Sequence, residues 1–196
     1  MSVPEAPSGA AAGIMVGEAR LDVVELAALR DRLQVLKTLA ARRGLALPER
    51  GRIMVTREAL VLCVRPQRWL FLSAPATTGA AAARWQEACG GMAAAVDLSS
   101  ALLGLHVDGP RAREALARGC RLDLDPAVFP FGTAAATLIA QVSAIVAALP
   151  SGFLLLTPAT TGRHFRDWLS GAARPFGLGA RADVTVASLS GENSTS

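Results

Sequence analysis

A five-residue sequence occurs twice in this chain of 196 residues. Pro-Ala-Thr-Thr-Gly at 75–79 returns 83 positions later, at 158–162. An apolar run precedes each copy, and a tryptophan follows six residues after each glycine, at Trp85 and Trp168. Each copy therefore predicts a strand, a turn and a helix with a buried tryptophan. Because a solenoid needs at least three copies, the repeat predicts two pseudo-symmetric halves packed on a shared core.

Hydrophobic periodicity and turn residues place the other elements. Leucines at helical spacing predict a helix over 29–42, where basic residues complement the helix dipole and Gly44 provides a left-handed cap. Thr78 is expected to cap the first tryptophan helix, and Pro110 is expected at the first position of a further helix. Strands are predicted at 21–26, 53–56, 59–64, 69–73, 94–97, 102–107, 133–139, 142–149 and 153–157.

The predicted element order is strand, helix, three strands and helix, followed by strands, helix, three strands and helix. Strands joined by hairpins, with helices on one side, are typical of an α+β fold and not of a doubly wound sheet. We expect a flexible segment at 1–16, one pseudo-duplicated domain at 17–189 with halves at 17–91 and 92–178, and a disordered polar tail at 190–196.

The composition favours a surface that is poor in charge. Charged residues make up 18% of the chain, against the usual quarter or so, while 52% are hydrophobic. Such a surface is expected if part of it faces another subunit, although an alanine-rich codon bias also contributes, since Lys37 is the only lysine. The net charge of +4 comes from scattered arginines, and tyrosine is absent. Direct nucleic-acid binding is therefore not expected.

The stretch 131–149 is apolar enough to pass a hydropathy window for a membrane-spanning helix. Gln141 and Ser143 interrupt it, and Pro150 follows it, so two buried strands account for it better. An interfacial membrane protein stays an alternative. The first 13 residues lack the basic region of a secretory signal, and the three cysteines show no C-x-x-C spacing. We expect no disulfide framework, no zinc site and a cytoplasmic location.

Neither histidine has the partners that catalysis or metal binding requires. His106 lies on a predicted strand and His164 near the start of the second tryptophan helix, without a second ligand or base at a suitable spacing. Arg121 beside Cys120 would favour a thiolate, but a small buried side chain is the simpler interpretation of Cys120. We expect no catalytic, cofactor-binding or metal-binding residue in this chain.

One longer motif begins at the third predicted helix: Gly109-Pro110-x-Ala112-x-x-x-Leu116-x-x-Gly119-Cys120-x-Leu122-Asp123-Leu124, followed by Phe129-Pro130-x-Gly132. This motif resembles the signature of one known family, the gamma subunit of heterotetrameric sarcosine oxidase. Weaker pieces are 65–70, 96–99 and 168–177, so that the resemblance covers about 20–178. The sequence departs from the family at Ala136 and at 158–161, which leaves a related N-methyl amine as an alternative substrate of the complex.

The resemblance implies a fold similar to the folate-binding domain of aminomethyltransferases, with two swapped subdomains related by a pseudo-dyad. It also implies a complex that oxidises the N-methyl group of sarcosine and passes the one-carbon unit to tetrahydrofolate. FAD, FMN, NAD and folate are then held by larger alpha and beta subunits, and zinc by a small delta subunit. This chain would be a structural companion without its own cofactor. A stand-alone folate-dependent one-carbon transferase is the alternative.

If the chain is such a companion, the loop after the third helix is the candidate contact surface. An apolar wedge of two phenylalanines beside a proline suits the centre of an interface. The equally weighted alternative is that these rings close the protein's own core. The candidate interface residues are Cys120, Asp123, Leu124, Phe129, Pro130 and Phe131.

Overall fold

The computed structural model describes residues 12–29, 31–42, 44, 46–182 and 184–191. The strands are β1 (Ile14–Ala19), β2 (Asp22–Ala28), β3 (Arg52–Val55), β4 (Ala59–Arg65), β5 (Arg68–Ser73), β6 (Ala93–Asp97), β7 (Leu102–Asp108), β8 (Ala134–Ile139), β9 (Val142–Ala148), β10 (Phe153–Pro158) and β11 (Leu178–Ala180). The helices are α1 (Leu33–Arg42), α2 (Ala80–Cys89), α3 (Ala112–Ala117), α4 (Gly162–Ala173) and α5 (Val186–Leu189).

The strands form two sheets with matching order. Sheet 1 runs β11-β1-β7-β10-β9-β8, and sheet 2 runs β3-β4-β5-β2-β6. Strands β2 to β5 of the first half thus correspond to β7 to β10 of the second. The first strand of each half joins the sheet of the other half: β1 pairs with β7, and β6 pairs with β2, both antiparallel. The predicted α+β fold with two swapped, pseudo-symmetric halves is confirmed.

Each sheet is covered on both faces, which explains the long apolar runs. In β10, Phe153 and Leu155 point to a core with α3 and α4, while Leu154 and Leu156 point to a core between the sheets. In sheet 2 the same alternation divides side chains between the middle core and a third core with α1 and α2. The layers are therefore helices, sheet 1, sheet 2 and helices. Because successive side chains of a strand point to opposite faces of its sheet, a strand that is buried on both faces must be apolar at every position.

The two copies of the repeat both lie between a strand and a helix, as predicted, but their details differ from the prediction. Gly79, at φ 76°, caps α2, and Thr78 gives no side-chain cap. Trp85 and Trp168 are both half-buried rather than buried, whereas Trp69 on β5 is 3% exposed. Both helix tryptophans pack against a core as partly buried residues.

Two further predictions need correction. Pro110 precedes α3, which begins at Ala112 with Arg111 at the N-cap. Strand β1 begins at Ile14, inside the segment 1–16 that was expected to be flexible; residues 1–11 lie outside the described residues. Ile14 is fully buried because β1 runs between β7 and β11 in sheet 1. Of the predicted tail, 192–196 also lie outside the described residues.

The described residues contain no helix that is both long enough and apolar enough to cross a membrane. The apolar stretch 131–149 forms β8, a tight turn and β9, as predicted. That turn places Ala140 and Gln141 at φ 50° and 66°. Two consecutive residues with positive φ are typical of the hairpin turns that match strand twist.

Candidate functional site

The loop 120–132, which joins α3 to β8, is tied to the rest of the protein at both ends. Near its start, the backbone N–H of Arg121 donates to the Leu138 carbonyl at 3.2 Å. At its end, the N–H of Gly132 donates to the Ala148 carbonyl at 3.1 Å. These bonds connect the loop to the edge strand β8 and to its neighbour β9 in sheet 1, so the path of the loop is set by the sheet.

Arg113 of α3 holds the middle of the loop. Its guanidinium donates hydrogen bonds to the carbonyl oxygens of Leu124 and, at 3.5 Å, Phe129. The guanidinium carbon also lies 4.9 Å from the ring centre of Phe153, in cation–π geometry. One half-buried cation thus joins the loop, the helix and a sheet strand, and hydrogen bonds from a charged donor are the stronger kind.

Asp123 and Asp125 shape the first half of the loop. The Asp123 Oδ1 accepts from the Asp125 N–H at 2.9 Å, and the Asp125 Oδ1 accepts from the Ala127 N–H at 2.8 Å. The Asp125 carbonyl then accepts from the N–H groups of Val128 and Phe129 at 2.9 and 2.7 Å. Such side-chain turns fix the backbone locally. Asp123 and Asp125 are two positions apart in the sequence, and each of them closes a turn with the N–H two residues later.

The structure divides the predicted interface residues into an inward and an outward set. Leu124 and Phe129 are 4% and 7% exposed and belong to the core under α3 and α4. Phe131 is 57% exposed, and Asp123 and Pro130 are also exposed. Phe129 therefore closes the protein's own core, whereas Phe131 stays accessible to a partner. The inward pair anchors the loop and leaves the outward set for contact.

Val128 is an outward residue that the sequence did not single out. It is 61% exposed and lies three positions before Phe131. A lone valine in a polar loop carries no periodic signal, so local pattern could not place it. The one available hint was its position beside the Phe-Pro-Phe segment.

Cys120 is half-buried at the start of the loop, and its environment does not activate it. Burial raises the pKa of the Cys120 thiol, opposed by smaller effects of hydrogen bonding to Leu122 and Thr137. The neighbouring Arg121 guanidinium instead donates to the Gln141 Oε1 at 3.2 Å. The thiol thus stays protonated at neutral pH, in agreement with the interpretation of Cys120 as a packing residue.

The other polar cluster lies where β7 reaches the C-terminal strap, defined here as residues 178–191. His106 is 1% exposed, and its Nε2 donates to the Ser151 carbonyl at 2.6 Å. Its Nδ1 lies 3.9 Å from the Asp108 Oδ2, and that oxygen forms an ion pair with the Arg181 guanidinium at 2.5 Å. Burial lowers the pKa of His106, although Ser151 and Asp108 oppose the shift.

This cluster holds the strap and carries no catalytic set. The neutral imidazole donates from Nε2, so Nδ1 is its acceptor nitrogen and faces a carboxylate already used by Arg181. The described residues place no serine, threonine or cysteine hydroxyl or thiol in a hydrogen bond with His106. Arg181 was missed from the sequence because its partner lies 73 positions away on β7, at Asp108.

An open cavity of about 550 Å³ lies between the strap and the turn after β5. Its polar groups include Glu18 and Arg181, which are already paired with Arg166 and Asp108. Val184 and Val186 form its apolar part and also belong to the core between the sheets. No three side chains among His, Cys, Asp and Glu of the described residues are placed to hold a metal ion.

Comparison with known proteins identifies the family and the fold. The family model of the GCVT N-terminal domain matches residues 22–194. A solved chain of the heterotetrameric sarcosine oxidase from Corynebacterium sp. U-96 is 24% identical, with a TM-score of 0.75 and coverage of 90% of both chains. Comparison with curated protein sequences gives no match.

A second solved structure is similar over a different share of its length. The glycine cleavage system aminomethyltransferase T from Bartonella henselae is 14% identical, with a TM-score of 0.62. The match covers 91% of this chain and 50% of that one. The chain therefore spans about half the length of the aminomethyltransferase, and these likenesses establish a shared fold.

Proposed function

Because the chain belongs to the GCVT N-terminal domain family, we propose that it is a non-catalytic assembly subunit of a flavin-dependent complex of the sarcosine oxidase type. The observation that carries the proposal is the likeness to one chain of a heterotetrameric sarcosine oxidase, over 90% of each chain. The aminomethyltransferase, in contrast, is matched over 50% of its length.

The chemistry of the described residues supports a structural role. Cys120 has a raised thiol pKa, and the His106 ring donates to the Ser151 carbonyl and lies beside the ion pair of Asp108 with Arg181. The reaction of the complex, oxidation of the sarcosine N-methyl group with transfer of the one-carbon unit to tetrahydrofolate, would then belong to the partners. FAD, FMN, NAD and folate would be held by larger alpha and beta subunits and zinc by a small delta subunit, in the cytoplasm.

Co-expression tests the proposal. The chain, carrying an affinity tag, is produced together with the products of its neighbouring genes, and the purified material is analysed by size-exclusion chromatography and absorbance spectroscopy. We expect co-elution with two large flavin-containing chains and bleaching of the flavin on addition of sarcosine or a related N-methyl amine. A chain that is recovered alone from such cells, or that turns over sarcosine by itself, contradicts the proposal.

A stand-alone folate-binding one-carbon transferase is the second candidate, favoured by the match to the GCVT N-terminal domain over 22–194. Fold likeness alone is an associational argument for activity. This candidate requires the isolated chain to bind tetrahydrofolate at micromolar concentration, which isothermal titration calorimetry measures directly. A null titration together with recovery of flavoprotein partners decides for the assembly subunit.

A further inference from the structure

Large apolar side chains that face solvent are few in the described part of the chain, and the two most exposed lie together. Val128 is 61% and Phe131 57% exposed, and both lie in the loop 120–132. The other exposed large apolar residues are Leu29, Val35, Val96 and Leu178. We refer to Val128 and Phe131 as the wedge.

The wedge is presented on a rigid frame. The Asp125 carbonyl accepts the Val128 N–H at 2.9 Å, and Arg113 binds the carbonyl of Phe129 between the two wedge residues. The Pro130 carbonyl, next to Phe131, accepts from both the N–H and the hydroxyl of Thr133. A preformed contact loses little conformational entropy on binding, which favours its use in association.

The wedge also has no place in the protein's own core. That core already receives Leu124 and Phe129 from the same loop, at 4% and 7% exposure. Since the inward positions are filled, Val128 and Phe131 stay outside in the folded chain. Burial of these two side chains therefore requires another molecule.

Charge indicates what that molecule presents. Asp123 and Asp125 are exposed in the same loop, and neither forms an ion pair with another described residue. Their Oδ1 atoms accept local N–H groups, which leaves the second carboxylate oxygens free for a partner. The loop thus presents two exposed carboxylates, while its exposed cation Arg121 donates to the Gln141 Oε1 at 3.2 Å; the loop is acidic although the whole chain carries a net charge of +4. A complementary surface is cationic.

A second copy of this chain fits this surface poorly. In a twofold interface the same patch meets itself, so docking of two wedges would bring two acidic pairs toward each other. Opposed like charges are unfavourable at an interface. The charge pattern therefore favours a different protein.

We propose that Val128 and Phe131 insert into an apolar socket on a larger partner subunit whose rim carries arginine or lysine side chains facing Asp123 and Asp125. This inference rests on the proposed function, because it assumes that the chain assembles with larger subunits. It keeps Asp123 and Phe131 from the six predicted interface residues and adds Val128 and Asp125, which gives an apolar pair with an acidic flank. The inward residues Leu124 and Phe129 act as positioning residues for that pair.

The test uses the co-expressed complex and measures its dissociation on dilution by mass photometry. Phe131→Ala is expected to raise the dissociation constant roughly 10- to 100-fold, as for an aromatic anchor at an interface centre. Val128→Ala is expected to raise it several-fold. Val96→Ala is the matched control, since Val96 is 48% exposed on β6, and no change of the dissociation constant is expected.

The charge is tested separately with the double variant Asp123→Asn and Asp125→Asn. Asparagine keeps the Oδ1 acceptor of each side-chain turn, so the loop geometry is preserved while the charge is lost. The association rate should fall about 3- to 10-fold at low salt, and its dependence on ionic strength should weaken. Circular dichroism and melting of each isolated variant verify that the fold is intact.

The outcomes separate this inference from the proposed function. Suppose that the wild-type complex forms and that Phe131→Ala and Val128→Ala dissociate at the same concentration as Val96→Ala. The proposed insertion of the wedge is then wrong, while the assembly role stands. If the asparagine pair binds with unchanged rates and salt dependence, the cationic rim is overturned. If the wild-type chain recovers no flavoprotein partner, both proposals fail. If Phe131→Ala abolishes self-association of the isolated chain instead, the occupant is a second copy and the inference is wrong.

Discussion

The contact between Gly119 and Trp168 gives a sharp test of how the second half is packed. A Cβ at Gly119 would lie 2.5 Å from Cζ2 and 3.0 Å from Cε2 of the Trp168 indole. It would also lie 3.3 Å from the backbone N of Ala140. Carbon atoms pack at about 3.5–4.0 Å, so Gly119→Ala requires the ring or the turn to move by about 1 Å.

The magnitude follows from two opposing effects. Adding a methyl group to a packed contact costs about 1–3 kcal/mol. Gly119 does not have a positive φ, so alanine also restricts the unfolded chain and returns roughly 0.4–1 kcal/mol. Trp168 is half-buried and can move outward, whereas the Ala140 N–H is tied to the Gly119 carbonyl at 3.1 Å. We expect a net loss of about 1–2 kcal/mol.

The assay is urea denaturation of the isolated chain, with thermal melting as a second measurement. A loss of this size should lower the melting temperature by roughly 2–8 °C for a chain of this length. Gly171→Ala is the matched control, because a Cβ there meets no atom within 4 Å and the residue lies inside α4. That variant should gain about 0.5–1 kcal/mol, since alanine is the better helix former.

A double-mutant cycle identifies the cause. In a Trp168→Leu background the methyl group has room, so the cost of Gly119→Ala should shrink by at least about 1 kcal/mol. Equal costs in both backgrounds would show that the indole is not the obstacle. A Gly119→Ala variant as stable as the Gly171→Ala variant would refute the packing argument as a whole.

Three other predictions address His106, the strap and the loop 120–132. Because burial lowers the pKa of His106, the unfolded state binds its proton more readily; stability should fall as the pH drops below about 6.5, and His106→Gln should flatten this decline in denaturation midpoints between pH 7 and 5. Leu189→Ala should cost about 2–5 kcal/mol in the same assay because the side chain is fully buried, whereas Leu178→Ala, at an exposed site, should change stability by less than about 0.5 kcal/mol. Arg113→Met should cost about 2 kcal/mol through the loss of two carbonyl contacts; no change in the urea midpoint would show that the loop does not depend on this side chain.

The position of each ring in the loop 120–132 could not be read from local sequence. Phe129 and Phe131 have the same spacing as alternate residues on a strand, yet Phe129 is buried and Phe131 exposed. If the segment were a regular strand, both would share one face. The turn at Asp125 and the guanidinium of Arg113 decide otherwise, and both act through contacts that no periodicity reveals.

Strand β1 and the strap were not predicted from the sequence, and both for the same physical reason: their conformation depends on contacts with distant parts of the chain. β1 contains Gly17 and Glu18 and shows little apolar alternation, so its strand conformation depends on pairing with β7. Gly17 is required there because a Cβ would lie 2.5 Å from Cγ2 of Val184 in the strap. The strap in turn has only short elements, β11 of three residues and α5 of four, so local pattern is weak and packing against the sheets decides where it lies.

The sequence by itself determined the repeat, most of the strands and helices and the α+β class, because hydrophobic period and turn chemistry are local properties that each segment carries. Its motifs also indicated the family. The tertiary structure alone decided which loop side chains face inward, where the strap lies and how Arg181 pairs with Asp108. These features depend on residues far apart in the chain, and only the closed fold brings them within contact distance.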